Sequence, residues 1–492
     1  MIGSVTLVGA GPTDVGLLTL KAKAAIESAE VLVYDALVGD AILALAPSTA
    51  TCINVGKRAS NHIKTQSETN QILLERALAG KKVVRLKGGD PFLFGRGGEE
   101  LELLAQHNVP FQVIPGITSA ISVPAYNGIP VTHRDFCSSL HIITAHMRAG
   151  KELDLDYDAL VRLKGTLVFL MGVTAMPYLC AGLEKAGMSP DMPAAVLHRG
   201  TSSLQKRVVA TIGTLTQAAK DMEAPSIIVV GKVCALSEQF AWAEKLPLFG
   251  KKFLVTRPKE RQSVLCAKLR DLGAEVVELP TIEIVDPVDI TPVHTAMKSL
   301  STYQWMVLTS PSGVTRFFAE MKSLKLDVRQ LFGVKIAALG KGTGLELEKY
   351  GILADLIPPT YDAETLGDAL GVLLNMGDRV FLPRAKQGNP ILTEKLVKAG
   401  AIVDDLPLYD IAHTAHPILE PATLLQDNTY AIFTSASTVR GFVDSAKMDD
   451  YSPVKALCIG NQTAEEAQKH NMQITTAKSA TIDSLVDLAL HA

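Results

Sequence analysis

The 492-residue sequence is poor in cysteine, and its six cysteines form no pattern. Cys52, Cys137, Cys180, Cys234, Cys266 and Cys458 are scattered, with no Cys-x-x-Cys pair and no histidine at ligand spacing. That argues against a disulfide framework and a structural zinc, so no metal site is expected, and a reducing compartment suits the chain. Long apolar runs are also missing: none approaches the ~18 residues that a membrane span needs. The opening "MIGSVTLVGAGP" passes straight into strand-like sequence without a charged leader, so a cytoplasmic protein with no membrane partner is expected. An excess of charge of one sign is lacking as well, with 48 Lys and Arg against 51 Asp and Glu. A net charge of -3 gives no reason to expect nucleic acid as a partner.

What is present is α/β punctuation. The chain is too long for one hydrophobic core and should divide into two to four domains. Short Val/Ile/Leu runs alternate with helical patterns such as "LLTLKAKAAIESAE" and "TNQILLERALAGK", and runs without strict alternation predict strands covered by helices on both faces. After "SIIVVGKVCAL", the stretch "AWAEKLPLFGKKF" brings Pro247, Gly250 and two lysines. The main boundary is placed there, giving domains over 1–246 and 253–492 joined by a linker over 247–252. The second half repeats itself. "WMVLTSPSGVTRFF" (305–318) aligns with "YAIFTSASTVRGFV" (430–443), 335–351 aligns with 455–471, and 253–284 aligns with 380–411. Two copies of one α/β unit imply two similar lobes, with the cleft between them as the default ligand site.

In the first half, "SVTLVGAGPTDVGLLTLKAKAAIESAEVLVYDALV" reads as strand, glycine loop, helix and strand, with Asp35 closing the second strand. Gly9 and Gly11 begin a dinucleotide-type pattern, but the third glycine is absent and Pro12 stiffens the loop. The stretch "VVRLKGGDPFLFGRGGEE" (83–100) discriminates better. Its Gly88–Asp90 loop falls at the carboxyl end of a strand, where open parallel sheets bind ligands. The glycines permit positive φ and a flat ligand against main chain, and Asp90 offers a carboxylate to hydroxyls or an amine. The plainer reading is a tight turn in which Asp90 caps the next helix; the second glycine pair, Gly97–Gly98, weighs against it.

Residues 1 to about 245 resemble the tetrapyrrole methylase family, and within it uroporphyrinogen-III C-methyltransferases, through "VGAGPTDVGLLTLKA", "VYDALV", "VGKR", "NQILLERALAGKKVVRLKGGDPFLFGRGGEE", "VIPGITSAISVPAYNGIPVTHRD", "TLVFLMGV" and "SIIVVGKV". Thr13 stands where the family usually has glycine, and "TAH" (144–146) where many members have Thr-Gly-His. The resemblance implies a cleft between two α/β subdomains that binds S-adenosylmethionine against the Gly88, Gly89, Asp90 and Leu93 loop. Pro12, Thr118, Ser119, Met171 and Gly200 match other cofactor-lining positions; for Met171 the plain alternative is core packing, and for Thr118 and Ser119 a helix start. It further implies Asp35 as proton acceptor, Lys57 as proton donor, and a homodimer. The alternatives are a turn cap for Asp35 and a solvated charge for Lys57. An eight-carboxylate substrate would be met by Arg58, Arg96 and Arg134, together with Lys57, Arg85, Lys87, His133 and Arg148 near the loop ends.

Residues 251–492 resemble uroporphyrinogen-III synthases through "LVTRPKE", "LGAEVVELPTIEI", "VLTSPSGV", "AALGKGTGLELEKYG", "PRA", "LPLYDI", "FTSASTV" and "CIGNQTAEEA". That family closes hydroxymethylbilane into a macrocycle without a cofactor. The resemblance implies one lobe over about 253–286 plus 412–492 and an inserted lobe over about 287–411. Tyr409 matches a tyrosine that helps the hydroxyl depart. Thr309, Ser310, Ser312, Thr343, Ser435, Ser437 and Thr463 sit at strand-to-helix turns suited to carboxylates, or equally to helix capping. Arg257 and Arg384 hold equivalent places in the repeat and could bind propionates. The whole then reads as a bifunctional enzyme of sirohaem and cobalamin precursor synthesis, acting on small tetrapyrroles. The competing readings are a two-domain NAD-dependent oxidoreductase and a methyltransferase carrying a non-catalytic tetrapyrrole-binding module.

Overall fold

The short apolar runs form strands shielded on both faces. Val31–Tyr34, Thr166–Leu170, Ser226–Val230, Lys252–Val255 and Trp305–Leu308 are buried at every residue, the condition under which alternation is lost. The computed structural model describes residues 2–56, 64–145, 154–257 and 263–492. Its strands make four five-stranded sheets.

The first sheet runs Thr51–Asn54, Val31–Tyr34, Lys82–Lys87, Ser4–Gly9, Phe111–Ile114, all parallel. Ala10, Asp35 and Gly88 therefore leave it at the same carboxyl edge. Its helices start on sequence signals. Thr65 and Glu68 close a reciprocal capping box on Gln66–Leu78, a device that contributes about 1 kcal/mol. The second sheet, Leu140–Thr144, Thr166–Leu170, Ser226–Val230, Pro193–His198, Lys206–Thr211, is mixed, with only its first pair parallel. Leu170 and Leu197 both face Ile227, so Met171 and Gly200 emerge at one edge.

The two remaining sheets reproduce the internal repeat strand for strand. Glu275–Glu278, Lys252–Val255, Thr429–Phe433 and Lys455–Cys458 lie in the same order as Ile402–His413, Arg379–Ala385, Trp305–Leu308 and Lys335–Ala338. One detail departs from the expected lobe limits. Ile282–Val285, assigned to the lobe over 253–286, pairs antiparallel with Asp410–His413 and is an edge strand of the other lobe's sheet. Both chain crossings between the lobes thus run through that strand pair in the inserted lobe's sheet.

The expected linker over 247–252 is not a free tether. Leu248 is wholly buried against Phe253, Leu265 and Leu269, and Lys252 is already the first residue of a strand. Proline and glycine mark the bend, while an apolar side chain fastens it. The halves also share a core: Val38, Ala41, Ile42, Leu43 and Ala46 pack with Val277, Leu279, Leu419 and Leu424. Each large apolar side chain so buried contributes about 1.5–3 kcal/mol.

Candidate functional sites

At the carboxyl edge of the first sheet three loops are pressed together. Gly11 and Gly89 exchange backbone hydrogen bonds, the Gly11 amide donating to Gly89 O at 3.1 Å and the Gly89 amide to Gly11 O at 2.7 Å. A methyl group on Gly9 would stand 2.4 Å from Gly116 N, and one on Gly116 would stand 2.3 Å from Gly89 O. The glycines first serve loop on loop. Gly88 likewise leaves room for Leu37, whose Cβ would lie 2.9 Å from an added methyl. Gly89 differs, because it holds φ +67° and an added methyl would meet nothing nearer than Ser119 N and Thr118 Cα, each at 4.0 Å. Its open side faces the N-terminus of Ser119–Tyr126, which Thr118 caps through the Ala120 amide.

Asp90 ties these loops. Its two carboxylate oxygens accept the Phe92 amide at 2.8 Å and the Gly116 amide at 3.0 Å. It is not the cap of the following helix, Gly97–Gln106, whose N-cap is Arg96. One glycine of the second pair has a local cause that the sequence reading underrated: a methyl on Gly97 would stand 2.6 Å from Pro91 O, where the chain folds back on itself, whereas one on Gly98 would meet nothing within 4 Å. Pro12 is buried beneath the loop and Leu93 is half-buried. Met171 is 51% exposed with φ +57°, so core packing does not explain it. Gly200 is buried against Val123, which an added side chain would strike at 2.4 Å. The structure thus gathers the Pro12, Gly88–Asp90 and Thr118–Ser119 segments and sets Gly200 against the same helix. The cradle at Gly89 fits a flat ligand lying on main chain. A dinucleotide does not fit at Gly9–Asp14, because the Gly11, Thr13 and Asp14 amides that would hold its phosphates are all engaged.

The cationic cluster expected around this edge is largely internal. Arg85 and Lys87 are only 3% and 4% exposed and both donate to Oε1 of the wholly buried Glu100, at 3.1 and 2.7 Å. Burial pushes the Lys87 ammonium below the usual lysine range, Arg85 adds to this, and Glu100 opposes it. Arg85 also donates to Asp35 Oδ1 at 2.7 Å, so Asp35 is a half-buried carboxylate clamped at the sheet edge. Arg96 is exposed and paired with Glu99. Arg134 is exposed beside half-buried His133. Lys57, Arg58 and Arg148 lie outside the described residues. The sequence reading missed Glu100, although Arg85 and Lys87 at i and i+2 share one face of a central strand and so demand a buried acid.

In the second half two of the seven expected hydroxyls, those of Ser310 and Ser435, cap helices. Ser310 accepts the Gly313 amide at 2.9 Å, and Ser435 accepts that of Thr438 at 3.3 Å and contacts Ser437 Oγ at 2.8 Å. Thr309 and Ser312 are half-buried beside Ser310, whereas Thr343 and Thr463 are buried inside their helices and present no hydroxyl to an open cleft. The helices they belong to start at Gly340 and Gly460, neither with a side-chain cap, so their first amides are suited to anions. Tyr409, 5% exposed, sets its hydroxyl 2.9 Å from Ser310 Oγ. Arg257 is half-buried after its strand. Arg384, expected to hold propionate, instead spends its donors on Asp405 at 2.8 and 2.5 Å, on Asn389 O and on Thr393. Among the described residues no group of acids, histidines and cysteines could hold a metal ion, and no helix is long and apolar enough to cross a membrane.

Comparison with known proteins gives this geometry a lineage. The family model of tetrapyrrole (corrin/porphyrin) methylases matches residues 4–216, and that of uroporphyrinogen-III synthase HemD matches residues 263–487. The chain is 46% identical to the porphyrin biosynthesis protein HemD of Ruminiclostridium josui over 99% of its own length and 98% of the relative's. It is 40% identical to the uroporphyrinogen-III C-methyltransferase of Bacillus subtilis over 73% and 74% of the two lengths. A crystal structure of a Thermus thermophilus uroporphyrin-III C-methyl transferase complexed with S-adenyl homocysteine is 37% identical, covers 47% of this chain and 99% of that one, and superposes with a TM-score of 0.42. By the two family models and the relative matched along 98% of its length, the chain belongs to the tetrapyrrole methylases in its N-terminal half and to the uroporphyrinogen-III synthases in its C-terminal half.

Proposed function

We propose that the chain is a bifunctional enzyme of sirohaem and cobalamin precursor synthesis. The C-terminal half closes hydroxymethylbilane to uroporphyrinogen III, and the N-terminal half methylates that product at C2 and C7 to precorrin-2. The observation that carries this reading is the match to one porphyrin biosynthesis relative along both halves at once. S-adenosylmethionine supplies the methyl group. The residues fitted to hold it are Pro12, Gly88, Gly89, Asp90, Leu93, Thr118, Ser119, Met171 and Gly200, around the open side of Gly89. Asp90 has both oxygens anchored by amides, yet each oxygen keeps a second acceptor position for a hydroxyl or amine.

Holding cofactor and macrocycle in contact supplies the larger share of the rate, about 7–11 kcal/mol in favourable cases. Asp35, oriented by Arg85, takes up the proton released from the macrocycle, and Lys57 donates where one is required. Asp35→Asn should slow methylation about 10²- to 10⁴-fold while cyclisation continues; equal methylation rates would remove Asp35 from this role. Arg58, Arg96 and Arg134 meet substrate carboxylates in the first half, and Arg257 with Thr309, Ser310, Ser312, Ser435 and Ser437 does so in the second.

In cyclisation Tyr409 assists the departing hydroxyl. One lone pair of Ser310 Oγ is taken by the Gly313 amide. Ser310 Oγ, 2.9 Å from the phenol oxygen, helps to orient Tyr409 for that proton donation. We further place the enzyme in the cytoplasm as a homodimer formed through the N-terminal half; its six cysteines, all free thiols, support the first point, and light scattering tests the second. The decisive assay incubates the full chain with hydroxymethylbilane, with and without S-adenosylmethionine. Type III product and its dimethylated derivative are expected. Type I porphyrin alone after oxidation would overturn the cyclisation, and unmethylated type III product beside the methyl donor would overturn the transfer.

A further inference from the structure

Thr13 departs from the glycine its family usually has, and the site described above gives it no role. Its surroundings do. The Thr13 and Asp14 amides both donate to Thr201 Oγ1, at 3.0 and 3.3 Å. Thr201 itself is held at φ +71°, an unfavourable conformation for a branched residue. Two residues on, Ser203 donates through its amide and its hydroxyl to Glu275 Oε2, each at 2.8 Å. Glu275 belongs to the C-terminal half. Its other oxygen lies 3.5 Å from Lys252 Nζ, and Lys252 reaches back to Asp40 Oδ2 at 2.7 Å. Asp40 follows Gly39, where an added methyl would stand 2.7 Å from Thr13 Cγ2. The contacts close a ring from the cofactor loop through the other half and back.

The ring is built to be rigid. Lys252 is 3% exposed. Burial alone would lower its ammonium, but Glu275 and then Asp40 outweigh burial and hold it above the ordinary lysine range. A buried cation between two carboxylates resists displacement, since breaking either pair strands a charge. The space enclosed is about 100 Å³, lined by Thr13, Asp14, Tyr126, Thr201, Gln205 and Glu275 among others. That is well below the ~300–1,000 Å³ of a small-molecule pocket, so the junction is neither a passage for a tetrapyrrole nor a second ligand site. Tyr126 bonds Asp14 at 2.7 Å from one wall, which fixes the loop a second time.

We propose that Glu275 and Lys252, residues of the synthase half, are positioning residues for methyl transfer: through Ser203–Thr201 and Asp40–Gly39 they hold the Gly11–Asp14 loop in its cofactor-binding shape. The proposal rests on the adenosylmethionine site argued above. Glu275→Gln and Lys252→Met, each in the full-length protein, are to be titrated with S-adenosylhomocysteine by calorimetry, with hydroxymethylbilane cyclisation followed in parallel. The expected result is binding weaker by about three- to thirtyfold, with cyclisation inside about twofold of the parent. Ser203→Ala removes a single hydroxyl and covers the case in which the buried-charge variants fail to fold; a weakening near the low end of that range is expected. Lys251→Met is the control, since Lys251 turns instead to the carbonyls of Ala489 and Ala492. Unchanged affinity in Ser203→Ala, or an equal loss in Lys251→Met, overturns the proposal. If the parent protein itself fails to bind S-adenosylhomocysteine, the underlying cofactor site is what falls.

Discussion

The two lobes of the C-terminal half are copies of one unit, yet they have diverged where chemistry and anchoring are concerned. Repeat alignment sets Arg257 opposite Arg384, Glu278 opposite Asp405 and Ile282 opposite Tyr409. In the inserted lobe Arg384 is locked onto Asp405. In the other lobe Arg270 holds the corresponding acid, Glu278, at 2.8 Å, and the inserted lobe has Val397 in place of Arg270. Duplication kept the arginine, while the acid equivalent to Asp405 is held by a second arginine that the inserted lobe lacks. The lobe built on residues 252–278 and 429–476 also shares a core with the N-terminal half, whereas the inserted lobe has cores of its own. One lobe is anchored, and the other carries the phenol.

The largest test of that difference is Arg384→Met. It strands Asp405, whose carboxyl Arg384 and Thr393 hold below the usual range against burial, so unfolding in urea should reveal a loss of about 3 kcal/mol. In Arg257→Met the acid at the equivalent position, Glu278, keeps Arg270 and is not stranded, so a smaller loss than for Arg384→Met is expected, together with a raised KM for hydroxymethylbilane. Equal destabilisation by the two substitutions would erase the distinction between the lobes.

Anchoring can be probed by pH. His416 sits at the junction facing the backbone of Ala44 and Ala46, and burial lowers its pKa from the ordinary 6.5 to about 4. Its Nδ1 accepts the Ile418 and Leu419 amides, which also favours the neutral ring. Because the folded value is depressed, the unfolded chain takes up the proton first as pH falls. Stability from this group is complete above about 6.5, declines between 6.5 and 4, and is level below 4. The decline amounts to at most about 3 kcal/mol. Hydrogen exchange should show it in the anchored lobe and not in the inserted one, and His416→Gln should flatten it.

Much of this organisation was legible in the sequence because it rests on periodicity. Strand runs, the repeat and the strand-to-helix serines follow local rules that a short window carries. What was not legible depends on partners far apart in the chain. Glu100 is invisible until Arg85 and Lys87 are seen to turn inward. Arg384 reads as a surface ligand until Asp405 folds beside it. Gly88 and Gly97 look like ligand clearance until Leu37 and Pro91 fill the space. Residues 247–252 carry the punctuation of a linker, and only the buried Leu248 shows that they are structure.

Tyr409→Phe should slow cyclisation about 10²-fold, or about 2.7 kcal/mol, with methylation and folding unchanged. The counterpart substitution Ile282→Val should do nothing to the chemistry. A Tyr409→Phe enzyme of parental turnover would return the phenol to packing, and with it the claim that the lobes divide their tasks.

The finest comparison uses the two capping serines. Ser310 and Ser435 occupy equivalent N-caps and accept equivalent amides, so as caps alone Ser310→Ala and Ser435→Ala should each cost about 1 kcal/mol of stability. Ser310 differs in also meeting Tyr409 at 2.9 Å. Losing its hydroxyl removes one contact that orients the phenol, so Ser310→Ala should lower kcat for cyclisation beyond what its stability loss explains. Ser435→Ala should move KM, the effect expected of the carboxylate contact proposed for it. If both variants alter kcat alike, the serines are interchangeable caps and the asymmetry resides in Tyr409 by itself.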